Sequence, residues 1–316
     1  MPLQMTNPAA ARITVVGGAN MDVGAKTQTP LLPGDSTPGH IHYAPGGVGR
    51  NIAENLARLG SAVALVSVVG ADAFGRDILA HTRSVGVEVA GVQMLAGQRT
   101  ATYLSMHGPD GDMALAVNDM AILERLTPDL LVAKNTMPAH TDVLVLDCNL
   151  SVPTLAWLLE QATQPVFVDA VSVAKCQRLV PVLGRVHTLK VNRIEAQALC
   201  GTVVGSVDDA RRAALALYGM GVQRVVLSLG ALGVAWCDAD GSTGARSASA
   251  VPVVNTTGAG DALLAGLVHA HVQGLSLPHC VEYAMACAEI TLSSTFANAP
   301  DLSHAAVQSR LAAVAA

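Results

Sequence analysis

The sequence predicts an α/β fold: a mainly parallel sheet with helices on both faces, plus a small second sheet. Three observations carry this. Short apolar runs alternate with helix-compatible segments along most of the 316 residues, an order that yields parallel strands joined by covering helices. Hydrophobic residues make up 51% of the chain and charged residues 14%, which suits a deeply buried core. Only two stretches, about 25–43 and 99–120, break the alternation, and they read as parts of one small sheet beside the main body, a lid. No internal repeat is visible and no linker divides the chain, so a single domain over 1–316 is expected, with the lid segments inserted in it.

Taken in order, residues 13–16 read as a first buried strand, ending in Gly17-Gly18-Ala19-Asn20-Met21-Asp22. Asn20 and Asp22 are two apart, so an extended backbone points both to one side, where they suit sugar hydroxyls or form an Asx turn. Residues 26–43 carry Pro30, Pro33, Gly34, Pro38 and Gly39 and read as turns with short strands. Gly46, Gly47 and Gly49 then lead into an amphipathic helix with Ile52, Leu56 and Leu59 on one face, closed by Gly60. A glycine-rich entry lets a ligand approach the backbone, and Asn51 in the first turns is a donor to it.

Residues 63–69 read as a strand, 77–85 as a helix and 87–92 as a strand. Residues 100–106 and 113–117 read as strands joined by His107-Gly108-Pro109-Asp110-Gly111-Asp112, hairpin chemistry in which Asp110 and Asp112 serve the turn. Beyond them, strands at 143–146, 166–168, 187–191, 224–229 and 234–237 alternate with helices at 154–162 and 208–218, and a late helix spans 281–292. Polar residues gather at strand ends: Asn20, Asp22, Asp147, Asp169, Asn192 and Ser228. In parallel α/β sheets, ligands bind at those ends.

Composition excludes several classes. The net charge of −5 gives no basic footprint for nucleic acid. No apolar run approaches the ~20 residues of a membrane helix. Residues 1–12 lack a charged head followed by an apolar stretch, so no secretory leader is expected. The six cysteines form no C-x-x-C pair and read as free, largely buried thiols of a cytoplasmic chain. His269 and His271 are two apart on an expected helix and diverge, which argues against a shared metal.

The stretch Asn255-Thr256-Thr257-Gly258-Ala259-Gly260-Asp261 organises the rest. An apolar, strand-like run at 251–254 leads in and a helix-compatible run at 262–272 leads out. Glycines at a helix start expose N–H groups and the positive end of the helix dipole, a site for phosphate. An acid there suits proton acceptance from a hydroxyl that attacks phosphate; the same residues also read as a tight turn with Asp261 in the first turn of a helix. No G-x-x-x-x-G-K-[ST] occurs, and residues 17–22 lack the third glycine and following helix of a dinucleotide fingerprint.

Together, Gly46-Gly47-Val48-Gly49-Arg50-Asn51 and Thr256-Thr257-Gly258-Ala259-Gly260-Asp261 resemble the two signatures of the ribokinase-like (PfkB) carbohydrate kinases. Asn192-Arg193-Ile194-Glu195 resembles that family's N-x-x-E motif, and Ser228 to Gly233 its nucleotide-side turn. Within the family the likeness is nearest to pseudouridine kinases, on Gly18 to Val23, Asn118-Asp119-Met120, Asp147-Cys148-Asn149, and Val171-Ser172 with Lys175-Cys176. The resemblance implies a ribokinase-like fold and ATP-dependent phosphorylation of a sugar hydroxyl, for pseudouridine the ribose 5′-hydroxyl. It implies Asp261 as base, without any need for a raised pKa, and the backbone of Gly258, Ala259 and Gly260 as anion hole. Asn20, Asp22, Gly46, Gly47 and Asn51 would hold ribose, and Thr102, Asn118, Asp119 and Lys175 are candidates for the uracil. Asn192, Ser228, Gly230 and Gly233 would face the nucleotide, with Asn192 and Glu195 acting on Mg²⁺ largely through water. Asn255 stands where the family motif usually has Asp, which puts direct K⁺ activation in question. Lids of this family often pair between subunits, which implies a homodimer. Other acceptors, nucleoside or sugar, fit the same motifs, and so does a non-catalytic sugar or nucleoside binder, although a binder has little use for Asp261 and the 192–195 pair.

Overall fold

The computed structural model describes residues 11–315, so the segment read for a leader lies outside it up to residue 10. The elements run β1 (Arg12–Val16), β2 (Asn20–Thr27), β3 (Gly39–Gly46), α1 (Val48–Arg58), β4 (Ala62–Gly70), α2 (Ala73–Ser84), β5 (Glu88–Leu95), β6 (Thr102–His107) and β7 (Met113–Asp119). They continue as α3 (Pro128–Ala133), β8 (Val143–Asp147), α4 (Val152–Gln161), β9 (Val166–Asp169), α5 (Val173–Cys176), β10 (Thr188–Asn192), α6 (Arg193–Cys200) and α7 (Val207–Gly219). The last are β11 (Arg224–Ser228), β12 (Val234–Cys237), β13 (Thr243–Arg246), α8 (Ala259–Val272), α9 (Leu277–Leu292) and α10 (His304–Ala315).

Nine strands form one sheet in the order β13-β12-β11-β10-β9-β8-β1-β4-β5. Its first two pairings, β13 with β12 and β12 with β11, are antiparallel; the rest are parallel. The chain starts at β1, winds out to β5, and returns on the other side through β8. The strand order therefore reverses between β1 and β8, and such a switch point opens a crevice at the carboxyl ends. Alternation feeds two cores. Val15 packs with α1, α8 and α9 on one face; Val16 packs with α4 and α7 on the other. With only 3% aromatic residues, small side chains set the spacing: a Cβ on Gly266 of α8 would lie 2.6 Å from Ala284 Cα of α9.

The small sheet has the order β3-β2-β6-β7. It starts at Asn20, earlier than the expected lid segment, because β2 leaves the core as soon as β1 ends. Three other expectations change. The run 251–254 is no strand: Val253 and Val254 are 61% and 56% exposed, and Val254 N–H donates to Leu292 O. The sheet edge is taken instead by β13, whose Thr-Gly-Ala-Arg carries no apolar alternation to announce it. Helix α2 starts at Ala73 rather than 77, because the Asp72 carboxylate caps it by accepting the Gly75 N–H. All six cysteines are free and all but Cys200 are buried. His269 bonds Ser61, while His271 packs against Phe167. Among the described residues, no helix is long and apolar enough to cross a membrane.

Candidate active site

The site is built from two helix starts. Helix α8 is entered through Gly258 at φ 81°, a left-handed conformation that glycine adopts without strain, and no side chain caps it. Most helices here carry a side-chain cap, such as Asp72 on α2 or Ser151 on α4. The bare start of α8 leaves the N–H groups of its first turn without a side-chain acceptor, as an anion site requires. Asp261 sits in that turn, buried. Burial, then the neighbouring Asp169, pushes its carboxyl up to about 7, against the lowering pull of Asn51 and Lys190. An unshifted aspartate is thus not what the fold provides; the carboxyl is poised near neutral pH, where a general base works best.

Helix α1 is also entered by a positive-φ glycine, Gly47 at φ 99°. Its N-terminus is not free, however. Asp147 Oδ2 accepts the N–H groups of both Gly18 and Gly49, each at 2.8 Å, and Gly18 O accepts from Arg50 N. A Cβ on Gly49 would lie 2.8 Å from Gly17 Cα. Gly46, Gly47 and Gly49 therefore serve close packing: a Cβ on Gly46 would strike Asp22, and one on Gly47 would strike Gly18 O. What α1 offers the site is Asn51, whose Nδ2 donates to Asp261 Oδ2 at 2.8 Å.

Behind Asp261 lies a group the sequence reading missed. Lys190 of β10 is buried, and its Nζ donates to Asp169 Oδ2 at 3.0 Å. The same Nζ is 2.7 Å from where a Gly260 Cβ would stand, which places an ammonium beside the bare start of α8. Its proton is held more tightly than usual, since Asp169, Glu195 and Asp261 outweigh burial. Asp169 also accepts the N–H of Val171, a β-branched residue at φ 65°. Strain of this kind, costing ~1–3 kcal/mol, collects at functional sites. Asp147 and Asp169, both at strand ends, thus act as braces, one for the loops and one for Lys190.

On the nucleotide side, Asn192 and Glu195 form a capping box at the start of α6. Asn192 Oδ1 accepts from Ile194 N and Glu195 N, while Glu195 accepts from Asn192 N and Nδ2. Asn192, Ile194, Ser228 and Gly230 line an open groove of about 310 Å³. Gly233 lies outside it, packed against the backbone of Arg246 and Ala248.

On the acceptor side, Asn20 Nδ2 donates to Asp22 Oδ1 at 2.6 Å. Burial raises the Asp22 carboxyl, offset by Asn20 and then Arg50. Strand register places Asp22, Tyr103 and Asn118 in one cross-strand row, so the small sheet presents Tyr103 and Asn118 on the face of Asp22. Thr102 pairs with Met21 and Asp119 and lies with Asp119 on the opposite face. Lys175 Nζ donates to Asn149 Oδ1, and a Cβ on Gly18 would lie 2.9 Å from Asn149 Nδ2. Asn118 and Lys175 thus stand on separate elements, Asn118 on the Asp22 face of the small sheet, and Thr102 faces away from Asp22. Asn255 accepts from Thr257 N in its own loop and donates to Thr295 O in the segment after α9.

Comparison with known proteins shows the family and the fold. The family model described as pfkB family carbohydrate kinase matches residues 10–304. A pseudouridine kinase of Escherichia coli K12 is 40% identical over 93% of this chain and 95% of its own length. An uncharacterized sugar kinase of the same strain, YeiI, is also 40% identical, over 92% of this chain and 80% of its own. A carbohydrate kinase from Agrobacterium tumefaciens superposes with a TM-score of 0.84 at 30% identity, covering 96% of this chain and 97% of that one. An Arabidopsis thaliana ribokinase complexed with ribose and ATP shares the fold, with a TM-score of 0.83 at 23% identity over 96% of this chain and 99% of its own. The fold is ribokinase-like, and the chain belongs to the pfkB family of carbohydrate kinases.

Proposed function

We propose that this kinase transfers the γ-phosphoryl group of ATP to the ribose 5′-hydroxyl of pseudouridine, giving pseudouridine 5′-phosphate and ADP. The observation that carries phosphoryl transfer is the Asp261 carboxylate at the bare start of α8, held by Asn51, with the Lys190 ammonium alongside. Asp261 accepts the hydroxyl proton as the oxygen bonds to phosphorus and the bond to ADP breaks. The N–H groups of Gly258, Ala259 and Gly260 meet the charge on the transferred group, so positioning and electrostatics do most of the work. Asn20, Asp22 and Asn51 offer the ribose hydroxyls both acceptors and donors. Asn118 and Lys175 serve the uracil, with the small sheet as lid.

Asn192 and Glu195 have their oxygens engaged in capping α6, so they suit Mg²⁺ contact through water rather than direct ligation, in keeping with a cation that retains several waters. Bound with ATP, Mg²⁺ supplies neutralisation of phosphate charge. Direct K⁺ activation stays in question, because Asn255 stands where the family motif usually has Asp.

The acceptor identity rests on likeness to the pseudouridine kinase; the equal likeness to YeiI favours a second reading, another nucleoside or sugar acceptor on the same machinery. ATP consumption with pseudouridine, uridine, adenosine, ribose and fructose, each with and without K⁺, separates them. A strong preference for pseudouridine over uridine is expected, and a preference for ribose or fructose would overturn the acceptor.

The chain is further proposed to be a homodimer paired through its small sheets. Ile41, Leu115 and Val117 are 63%, 63% and 64% exposed on one apolar face. Light scattering should give twice the chain mass, and Leu115→Asp with Val117→Lys should give the single mass. A monomeric wild type would remove the dimer.

A further inference from the structure

We infer that Arg50 is a positioning residue for the base: by donating to the amide oxygen of Asn51, it holds that amide with its nitrogen toward Asp261. The inference rests on Asp261 being the base. A side-chain amide is nearly symmetric in shape, so its two orientations are told apart only by hydrogen-bond partners. Here both partners choose the same one. Arg50 Nη1 lies 2.7 Å from Asn51 Oδ1, and a guanidinium can only donate. Asn51 Nδ2 lies 2.8 Å from Asp261 Oδ2, and a carboxylate can only accept. A flipped Asn51 would set donor against donor at one end and acceptor against acceptor at the other.

Arg50 is itself fixed. It is 1% exposed, and Nη1 shares its two hydrogens among Asn51 Oδ1, Pro45 O at 2.6 Å and Asn298 Oδ1 at 3.2 Å. Nη2 pairs with Glu54, one turn along α1. Glu54 is held in turn by Arg58, at 2.7 and 2.9 Å, and by His81 at 3.3 Å. Asn298 closes the frame, its Nδ2 donating to Asn51 O and Asn55 Oδ1. Of this frame, Asn51 alone bonds Asp261, and the Arg50 charge also reaches Asp22 on the acceptor side; toward the base, Arg50 acts through Asn51.

The charged groups facing Asp261 are Asp169 and Asp147, which raise its proton affinity, and Lys190, which lowers it. Arg50 is near enough to feel the Asp261 charge. Removing Arg50 deletes one cation and frees the amide to turn its oxygen toward the carboxylate. Both changes favour the protonated acid. The base is then lost at neutral pH and regained as pH rises.

The test is the pH profile of kcat/KM for the best acceptor of the panel, in wild type and in Arg50→Met. The acidic limb should move up by on the order of one pH unit, so that a loss of about tenfold at pH 6 nearly vanishes above the shifted limb. Arg50→Lys keeps the charge on a compact donor and should recover part of the shift. Should Arg50→Met fail to fold, Arg50→Met/Glu54→Gln, which also removes the buried partner charge, reads the same limb. A loss equal at every pH, with the limb unmoved, overturns the inference while leaving the function intact. A wild type with no turnover, or no acidic limb, overturns the base assignment and this inference with it.

Discussion

Asp261→Asn is expected to lower turnover by about 10²–10⁴-fold, the range for removal of a general base, while acceptor binding persists. Asn keeps the shape and still accepts from Asn51 Nδ2, but it cannot take the hydroxyl proton. Asp261→Ala should behave alike in turnover. The pH dependence follows from the raised carboxyl, which the fold shifts from 3.8 to about 7. Wild-type kcat/KM should rise with pH through about 7 as the carboxylate forms. Stability runs the other way. A carboxyl held above its unfolded value binds its proton more tightly in the folded state, so stability falls as pH rises from 3.8 towards 7 and stays at the lower level beyond. Asn does not ionise. Asp261→Asn should therefore melt above wild type at pH 8 and level with it at pH 4. Isothermal titration with acceptor, steady-state kinetics and thermal melts at the two pH values check all three. Normal turnover in either variant would end the assignment of Asp261.

Gly258→Ala should be nearly as damaging, for a steric reason. At φ 81° a side chain is already strained. An added Cβ would also lie 1.9 Å from Ala297 O and 2.7 Å from Ala297 C. These are backbone atoms, so no flexible side chain can swing aside. Either the start of α8 or the segment around 297 must move, and either shift displaces the anion hole from the base. A loss of about 10²–10³-fold in kcat/KM, as when an oxyanion donor is removed, should accompany a stability loss of ~1–3 kcal/mol. Gly260→Ala is the instructive contrast. Its Cβ would meet only the Lys190 Nζ, the far end of a long side chain, so the fold should tolerate it better and activity should suffer through a displaced ammonium. Melting curves of the two variants side by side distinguish backbone collision from side-chain displacement; equal melting would show that φ and the Ala297 contact do not constrain the turn.

The main sheet was legible because apolar runs ending in polar residues mark buried parallel strands, and the helix starts because glycine clusters mark them. Strand β13 was not, since an edge strand owes its conformation to its neighbour rather than to its own Thr-Gly-Ala-Arg. Residues 251–254 misled for the converse reason: a β-branched run has strand propensity, but no partner strand is left for it. In the site, Asp261 and Asn51 were visible through their motifs. Lys190 was missed although a lysine within Thr-Leu-Lys-Val-Asn, two residues before Asn192 in a buried strand, is itself a signal. Arg50 and Glu54 stand at helical spacing and their pairing could have been read. Asn298 could not: it meets Asn51 across 247 residues of chain, and no local pattern foretells such a contact.

Asp147 has a mechanical consequence. The two N–H groups it accepts, from Gly18 and Gly49, stand just before β2 and just after β3, so the antiparallel pair is rooted on one carboxylate. β2 has eight residues, a span of about 26 Å at roughly 3.3 Å per residue. β2 is also tied alongside β6, with Met21 N–H donating to Ala101 O, so a rotation about that root would carry the whole small sheet. A turn of about 10° would carry the far tip about 4–5 Å over such a span. Asn20, Asp22 and Gly46, next to the root, would scarcely travel. The polar pair Asn20 and Asp22 sits where leverage is least, and Ile41 and Leu115, toward the far end of the sheet, sit where it is greater.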